Sequence, residues 1–133
     1  MQRSASHRAD GPLRVLVLAV QKGGTGKTTL AVSLAVAAAE AGEQVTALDL
    51  DAQGSLAGWG GLRKNDGSSD RKSDAVAVDR VQLWEMGQLS EILGILAEQG
   101  TTLAVLDTAG SASGLAPALK DADLVLMPVR PPV

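Results

Sequence analysis

A glycine-rich segment at residues 21–29 carries the clearest chemical signal in this chain; its sequence is Gln-Lys-Gly-Gly-Thr-Gly-Lys-Thr-Thr. It lies between an apolar, strand-like run and an alanine-rich, helix-like run. Glycines allow the backbone to aim several N–H groups at an anion, and the start of a helix adds partial positive charge. Lys27 adds a full charge, and the Thr28 hydroxyl beside it is suited to a magnesium ion. The segment predicts a cradle for the phosphates of a nucleotide, whereas a lone glycine-rich turn before a helix would lack this combination.

Carboxylates follow two other apolar runs. Asp49 and Asp51 come at the end of the run 44–49, and Asp107 ends the run 103–107. Ligands of open α/β sheets usually bind at the carboxyl ends of the strands. These aspartates are therefore candidates for the same site, and a solvent-exposed acidic turn is the alternative for Asp51.

The order of elements predicts how these groups are positioned. Apolar runs at 13–20, 44–49, 75–79, 103–107 and 124–129 predict strands, and the last two are expected to be buried. Helices are expected at about 28–41, at 89–96 and as a short turn at 115–120, with a weak glycine-containing helix at 55–62. The alternation predicts an α/β fold with a mostly parallel, doubly wound sheet of about five strands.

Two details of the first helix can also be predicted. Leu30, Leu34, Ala37 and Ala41 share one face, which gives the helix an apolar stripe. Gly42 stands where a left-handed residue commonly ends a helix.

Composition excludes several classes of protein. The chain has 133 residues, which is enough for one domain, and apolar residues make up 45% of it. It has no cysteine, so a disulfide framework and cysteine-ligated zinc or iron–sulfur sites are excluded. Its net charge of −3 argues against a nucleic-acid clamp formed by the whole surface. No run approaches the ~18 apolar residues of a membrane span, so a cytoplasmic location is expected.

Four segments together resemble the ParA/MinD family of P-loop ATPases. Residues 21–29 resemble its deviant Walker A box, in which Lys22 precedes Lys27 by five residues and Gln21 replaces the opening glycine of the general P-loop. Residues 45–55 resemble its switch I segment, with Ala52 in place of the usual proline. Residues 106–110 resemble its Walker B strand and switch II, and residues 122–131 resemble the following strand. The resemblance implies a three-layer P-loop NTPase fold.

The resemblance also implies roles for the residues of the phosphate loop. The backbone of Gly23, Gly24, Thr25 and Gly26 would surround the phosphates of ATP. Lys27 would bridge the terminal phosphates, Thr28 would coordinate Mg²⁺, and Thr29 would lie near the α-phosphate. Lys22 would reach across a dimer to the nucleotide of the partner subunit.

Further roles follow for the aspartates. Asp51 would position or polarise the attacking water, and Asp49 would support the magnesium site. Asp107 would contact Mg²⁺ through water. Lys22, Lys27 and Asp51 are thus the expected catalytic residues, and Thr28, Asp49 and Asp107 the expected metal site.

The function implied is that of an ATPase that dimerises on ATP and hydrolyses it slowly to drive plasmid or chromosome partitioning. Its expected partners are a second copy of the chain and a ParB-like centromere-binding activator, with nonspecific DNA possible and a nucleoid-associated location if DNA is bound. A hydrolysis-deficient nucleotide-binding module is one alternative. A signal-recognition-type GTPase is another, suggested by Asp-Thr-Ala-Gly at 107–110, although the guanine-recognition element of those proteins does not occur in the sequence.

The domain organisation follows from the same comparison. Residues 1–12 are expected to be a disordered lead-in, because they are polar and end in Asp-Gly-Pro. Residues 13–133 are expected to form the ATPase domain, without the C-terminal part that family members commonly have.

Overall fold

The computed structural model describes residues 13–19, 27–51, 55–64, 76–81, 87–108 and 112–127. Strands and helices alternate along these residues. The elements are β1 (Arg14–Leu18), α1 (Lys27–Glu40), β2 (Val45–Leu50), α2 (Ser55–Lys64), β3 (Val76–Arg80), α3 (Leu89–Glu98), β4 (Leu103–Thr108), α4 (Ala112–Lys120) and β5 (Leu124–Leu126). The alternation predicted from the sequence is confirmed.

The strands form one parallel sheet in the order β3-β2-β4-β1-β5. β4 is the middle strand and lies between β2 and β1, although it comes late in the chain. All six residues of β2 are buried, as are five of the six in β4. Such continuous apolar strands are typical of a parallel sheet covered by helices on both faces.

Two separate apolar clusters show that the sheet is the middle of three layers. One cluster joins side chains of α1 and α2 to one face, including Ala31, Ala35, Leu56, Ala47 and Val105. The other joins α3 and α4 to the opposite face; it contains Leu89, Leu93, Ala118, Leu48 and Leu106. The three-layer, doubly wound architecture is therefore confirmed.

The first helix packs differently from the face expected for it. Ala31, Ala35 and Ala39 are buried against the sheet, while Leu30 and Leu34 are only half-buried beside them. Ala37 and Ala41 are exposed, so the face that they share with Leu30 and Leu34 is not the one that packs most closely on the sheet. The helix presents its smallest side chains to the sheet, which allows close approach of the two backbones.

The predicted cap at Gly42 is confirmed. Gly42 has a φ of 99°, in the left-handed region that favours glycine. Its N–H donates to the carbonyl of Ala39 at 3.1 Å, and the N–H of Glu43 donates to that of Ala38 at 3.0 Å. This pair of bonds is the Schellman motif, which satisfies carbonyls at the end of a helix.

The last strand is not buried as expected. Leu124 is 56% exposed and Val125 is 36% exposed. The reason is topological, because β5 stands at the edge of the sheet and, within the described residues, pairs with β1 alone. The predicted strand residues 128 and 129 lie outside the described residues. α4 is longer than the short turn expected before β5, since it begins at Ala112.

Candidate functional site

A single row of residues crosses the sheet near its carboxyl edge. The strand register places Asp49 of β2 opposite Asp107 of β4, and Asp107 opposite Leu18 of β1. Side chains alternate between the two faces along a strand. Val45, Ala47 and Val105 belong to the cluster beneath α1 and α2, so both carboxylates, two or four residues farther on, face the same helices.

The carboxylate of Asp107 is almost completely buried, with 1% of the residue exposed. The next residue, Thr108, is also buried, and its hydroxyl donates to the backbone carbonyl of Leu18 at 2.7 Å. This hydrogen bond joins the ends of β4 and β1. It fixes Asp107 relative to the point where the chain leaves β1 toward residues 21–29.

Asp49 is completely buried, and both of its carboxylate oxygens accept backbone N–H groups. Its Oδ1 accepts the N–H of Asp51 at 3.0 Å, and its Oδ2 accepts the N–H of Ala57 at 2.8 Å. The first bond forms a local Asx-turn, and the second satisfies a donor in the first turn of α2. Residue 54 is a glycine without a side chain, so a residue from β2 performs the capping.

Asp51 directly follows β2 and is half-buried. Its backbone is held by Asp49, as described above. The weak helix expected after it is a helix of ten residues, α2, with Leu56 fully buried against the sheet. Packing and the Asp49 cap therefore offset the low helix propensity of its glycines.

The helix after the predicted phosphate loop begins at Lys27, and α1 packs against β2 and β4. Because α1 follows β1 and precedes β2 in a parallel sheet, its N-terminus lies at the carboxyl edge, beside the Asp49–Asp107 row. That end of the helix carries partial positive charge and N–H groups that have no partner within the helix itself. The structure thus brings a helix N-terminus and three aspartates to the same edge of the sheet.

The remaining predicted site residues can be placed only in part. Lys27 and Thr28 occupy the start of α1, and Thr29 is exposed in its first turn. The other loop residues lie outside the described residues; they are Lys22, Gly23, Gly24, Thr25 and Gly26.

Sequence analysis missed two contacts of the site. No role was predicted for Thr108, and the capping of α2 by Asp49 was not foreseen. Both contacts join residues that are separated along the chain, by 90 positions for Thr108 and Leu18. The only signal in the sequence is the position of each residue at the end of an apolar run.

The donor set of the edge suits a magnesium ion that arrives with a nucleotide. Mg²⁺ prefers carboxylate, hydroxyl, water and phosphate oxygens and commonly takes only one or two carboxylates from a protein. Among the residues that the structure describes, no group of three or more acidic or histidine side chains could hold a metal by itself. The buried Asp107 therefore fits a site completed by phosphates better than a cage made by the protein alone.

Comparison with known proteins identifies the family. The profile of the CobQ/CobB/MinD/ParA nucleotide-binding domain matches residues 16–126, which extend from within β1 to the end of β5. The chain belongs to this family. Both the resemblance inferred from the sequence and the P-loop NTPase fold are thereby confirmed.

Individual ParA relatives and a solved structure agree with this assignment. The chain is 58% identical over 43 residues to the chromosome partitioning protein ParA of Caulobacter vibrioides, covering 32% of this chain and 16% of that protein. It is 34% identical over 120 residues to the maintenance of carboxysome distribution protein A of Gloeobacter kilaueensis, covering 89% and 50%. A Borrelia burgdorferi B31 protein, described as a plasmid partition protein and bound to AMPPNP, superposes with a TM-score of 0.71 at 20% identity, covering 87% and 62%.

These comparisons also show how much of the family's length is represented. The chain spans about half the length of the curated relatives that it matches along most of its own length. In the described part of the chain, no helix combines the length and apolar character needed to cross a membrane.

Proposed function

We propose that this nucleotide-binding domain binds ATP with Mg²⁺ and hydrolyses it slowly, as a ParA-type switch in the partitioning of plasmids or chromosomes. The observation that carries the proposal is the row formed by Asp49, Asp107 and the end of β1, beside the N-terminus of α1. A phosphate group is attracted by the helix N-terminus, and its magnesium ion by the buried carboxylate. The family match supports the nucleotide as the ligand of this edge.

The phosphate-binding roles are proposed for the loop between β1 and α1. Its backbone N–H groups at 23–26 would surround the phosphates, and Thr29 would lie near the α-phosphate. Lys27 would contact the β- and γ-phosphates, where its charge offsets the negative charge that shifts during phosphoryl transfer.

A magnesium ion bound with the nucleotide would supply positive charge at its phosphates. The hydroxyl of Thr28 would hold it directly, and Asp107 would hold it through water. Asp51 would orient the attacking water and accept a proton from it, a role that suits its position just beyond β2. The backbone bond from Asp51 to Asp49 would restrict where that carboxylate can lie.

Assembly is the second part of the proposal. Lys22 would contact the nucleotide of a partner subunit, so that ATP stabilises a homodimer. A ParB-like activator would trigger hydrolysis and return the chain to monomers. Nonspecific DNA would localise the dimer to the nucleoid in the cytoplasm.

The primary test is calorimetric titration of ATP and GTP in the presence of Mg²⁺, followed by a phosphate-release assay. We expect ATP to bind more tightly than GTP. Replacement of Lys27 by alanine should weaken ATP binding about tenfold to a hundredfold, because charge-assisted bonds are lost. Lys120→Ala, which removes an exposed lysine at the end of α4, is the matched control and should bind like the wild type.

Turnover separates the proposal from its alternatives. Asp51→Ala should lower kcat about a hundredfold or more while ATP binding persists, as expected for loss of a general base. Binding without phosphate release in the wild type would instead indicate an inert module, and preference for GTP would indicate the GTPase. Light scattering with ATP should show dimers for Asp51→Ala and monomers for Lys22→Ala.

A further inference from the structure

Asp49 is bonded to the backbone at both ends of the connection between β2 and α2. The residue is completely buried, and its two carboxylate oxygens each accept one backbone N–H, from Asp51 and from Ala57. Burying a carboxylate is costly unless hydrogen bonds compensate for the lost hydration. Here two backbone donors supply that compensation, and one of them belongs to the positive end of α2.

The two donors lie on either side of a short stretch of chain. Asp51 is the first residue after β2, and Ala57 is in the first turn of α2. One side chain in the central part of the sheet therefore fixes both ends of this connection. Since the Asp51 side chain extends from a backbone held in this way, the position of its carboxylate depends on Asp49.

We propose that Asp49 is a positioning residue, which holds the backbone of Asp51 and the start of α2, and is not a ligand of Mg²⁺. The hydrolytic consequence rests on the proposed function, because it assumes that Asp51 acts on the attacking water. The structural consequence does not, since it concerns hydrogen bonds within the chain alone.

Hydrogen–deuterium exchange of the nucleotide-free chain, resolved at single amides by NMR, tests the structural consequence. Asp49→Asn leaves one acceptor oxygen where there were two, so at least one of the two N–H groups loses its partner. We expect exchange at Asp51 or Ala57 to accelerate about tenfold or more. Asp79→Asn makes the same change at an exposed residue of the neighbouring strand β3 and should leave both rates unchanged.

Steady-state kinetics at varied Mg²⁺ concentration tests the hydrolytic consequence. If Asp49 is a positioning residue, Asp49→Asn should lower kcat about tenfold or more, with the half-saturating Mg²⁺ concentration within about twofold of the wild type. A ligand role predicts a half-saturating concentration raised about tenfold to a hundredfold. If Asp49→Asn does not fold, Asp49→Glu, which moves both acceptor oxygens outward, is measured in its place with the same expectations.

The two measurements separate failure of this inference from failure of the proposed function. Absence of ATP turnover in the wild type would contradict the proposed function. The exchange rates would still decide the role of Asp49. Unchanged exchange at both amides, or a raised Mg²⁺ requirement, would overturn the positioning role even if ATP is hydrolysed.

Discussion

Polar groups are hydrogen-bonded in different ways at the two ends of the β2–β4 strand pair. At the amino edge of the sheet, the N–H of Gln44 donates to the hydroxyl of Thr102 at 2.9 Å, and that hydroxyl donates to the carboxylate of Glu43 at 2.7 Å. The hydroxyls of Thr46 and Thr101 form a further bond of 3.1 Å. A hydroxyl both donates and accepts, so residues at or just before the starts of the two strands satisfy each other there.

At the carboxyl edge, the same two strands place Asp49 opposite Asp107 in register. Carboxylate oxygens accept hydrogen bonds and do not donate them, so these two side chains cannot satisfy each other as the hydroxyls of the amino edge do. The polar groups of the amino edge bond to each other, whereas both carboxylate oxygens of Asp49 at the carboxyl edge accept backbone N–H groups from beyond the strand pair. The carboxyl ends of parallel strands are where ligands of open α/β sheets usually bind.

The strongest way to test this contrast is to remove charge from the carboxyl edge. Asp107→Asn should raise the Mg²⁺ concentration needed for half-maximal ATP binding about tenfold to a hundredfold, as a ligand-sphere carboxylate is lost. An unchanged Mg²⁺ requirement, together with a lower free energy of urea unfolding without nucleotide, would show that Asp107 serves the fold.

The fold could largely be predicted from the sequence, since the strands are apolar runs and the helices show apolar residues at helical spacing. Gly42 was also predictable, because a glycine after the last helical residue has one common role. The exposure of β5 was not, since strand order decides which strand lies at an edge. The buried residues of α1 were not predictable either, because this helix is apolar on most sides and periodicity does not single out Ala31, Ala35 and Ala39.

The candidate site was predictable in its residue types but not in its contacts. The positions of Asp49, Asp51 and Asp107 at strand ends were sufficient to place them at one edge. The bonds of Asp49 to Ala57 and of Thr108 to Leu18 depend on how elements pack in three dimensions. The position of Asp49 at a strand end suggested a metal ligand, but that position alone could not indicate its bond to the first turn of α2.

Packing of the helix that follows the carboxyl edge provides the next prediction. A Cβ added to Gly60 of α2 would lie 2.8 Å from the Cβ of Val78 on β3, so Gly60→Ala requires displacement of the helix or the strand. We expect a loss of about 1–2 kcal/mol in the free energy of unfolding, after the gain in helix propensity is included. Gly58→Ala is the matched control.

In that control, the added Cβ meets nothing within 4 Å, and the substitution should stabilise the chain by about 0.5–1 kcal/mol. Urea unfolding of both variants measures the difference. Equal effects of the two substitutions would show that α2 is not closely held against β3.

Loss of a neutral hydrogen bond at the carboxyl edge should lower the free energy of unfolding less than the packing change at Gly60 does. Thr108→Val removes the hydroxyl that donates to Leu18, with little change in volume, and should lower the free energy of unfolding by about 1 kcal/mol. Thr108→Ser retains the donor and should preserve most of that bond. A loss with serine as large as with valine would assign the effect to the methyl group instead of the hydrogen bond.

The smallest change in stability is expected at the amino edge. A functional effect there would contradict the difference between the two edges. Thr102→Val removes the acceptor of the Gln44 N–H and the donor to Glu43, but water can replace both because these groups are exposed. Stability should fall by about 0.5 kcal/mol, while ATP affinity, kcat and the Mg²⁺ requirement stay at wild-type values. A change in Mg²⁺ requirement as large as that of Asp107→Asn would show that the two edges are not functionally distinct.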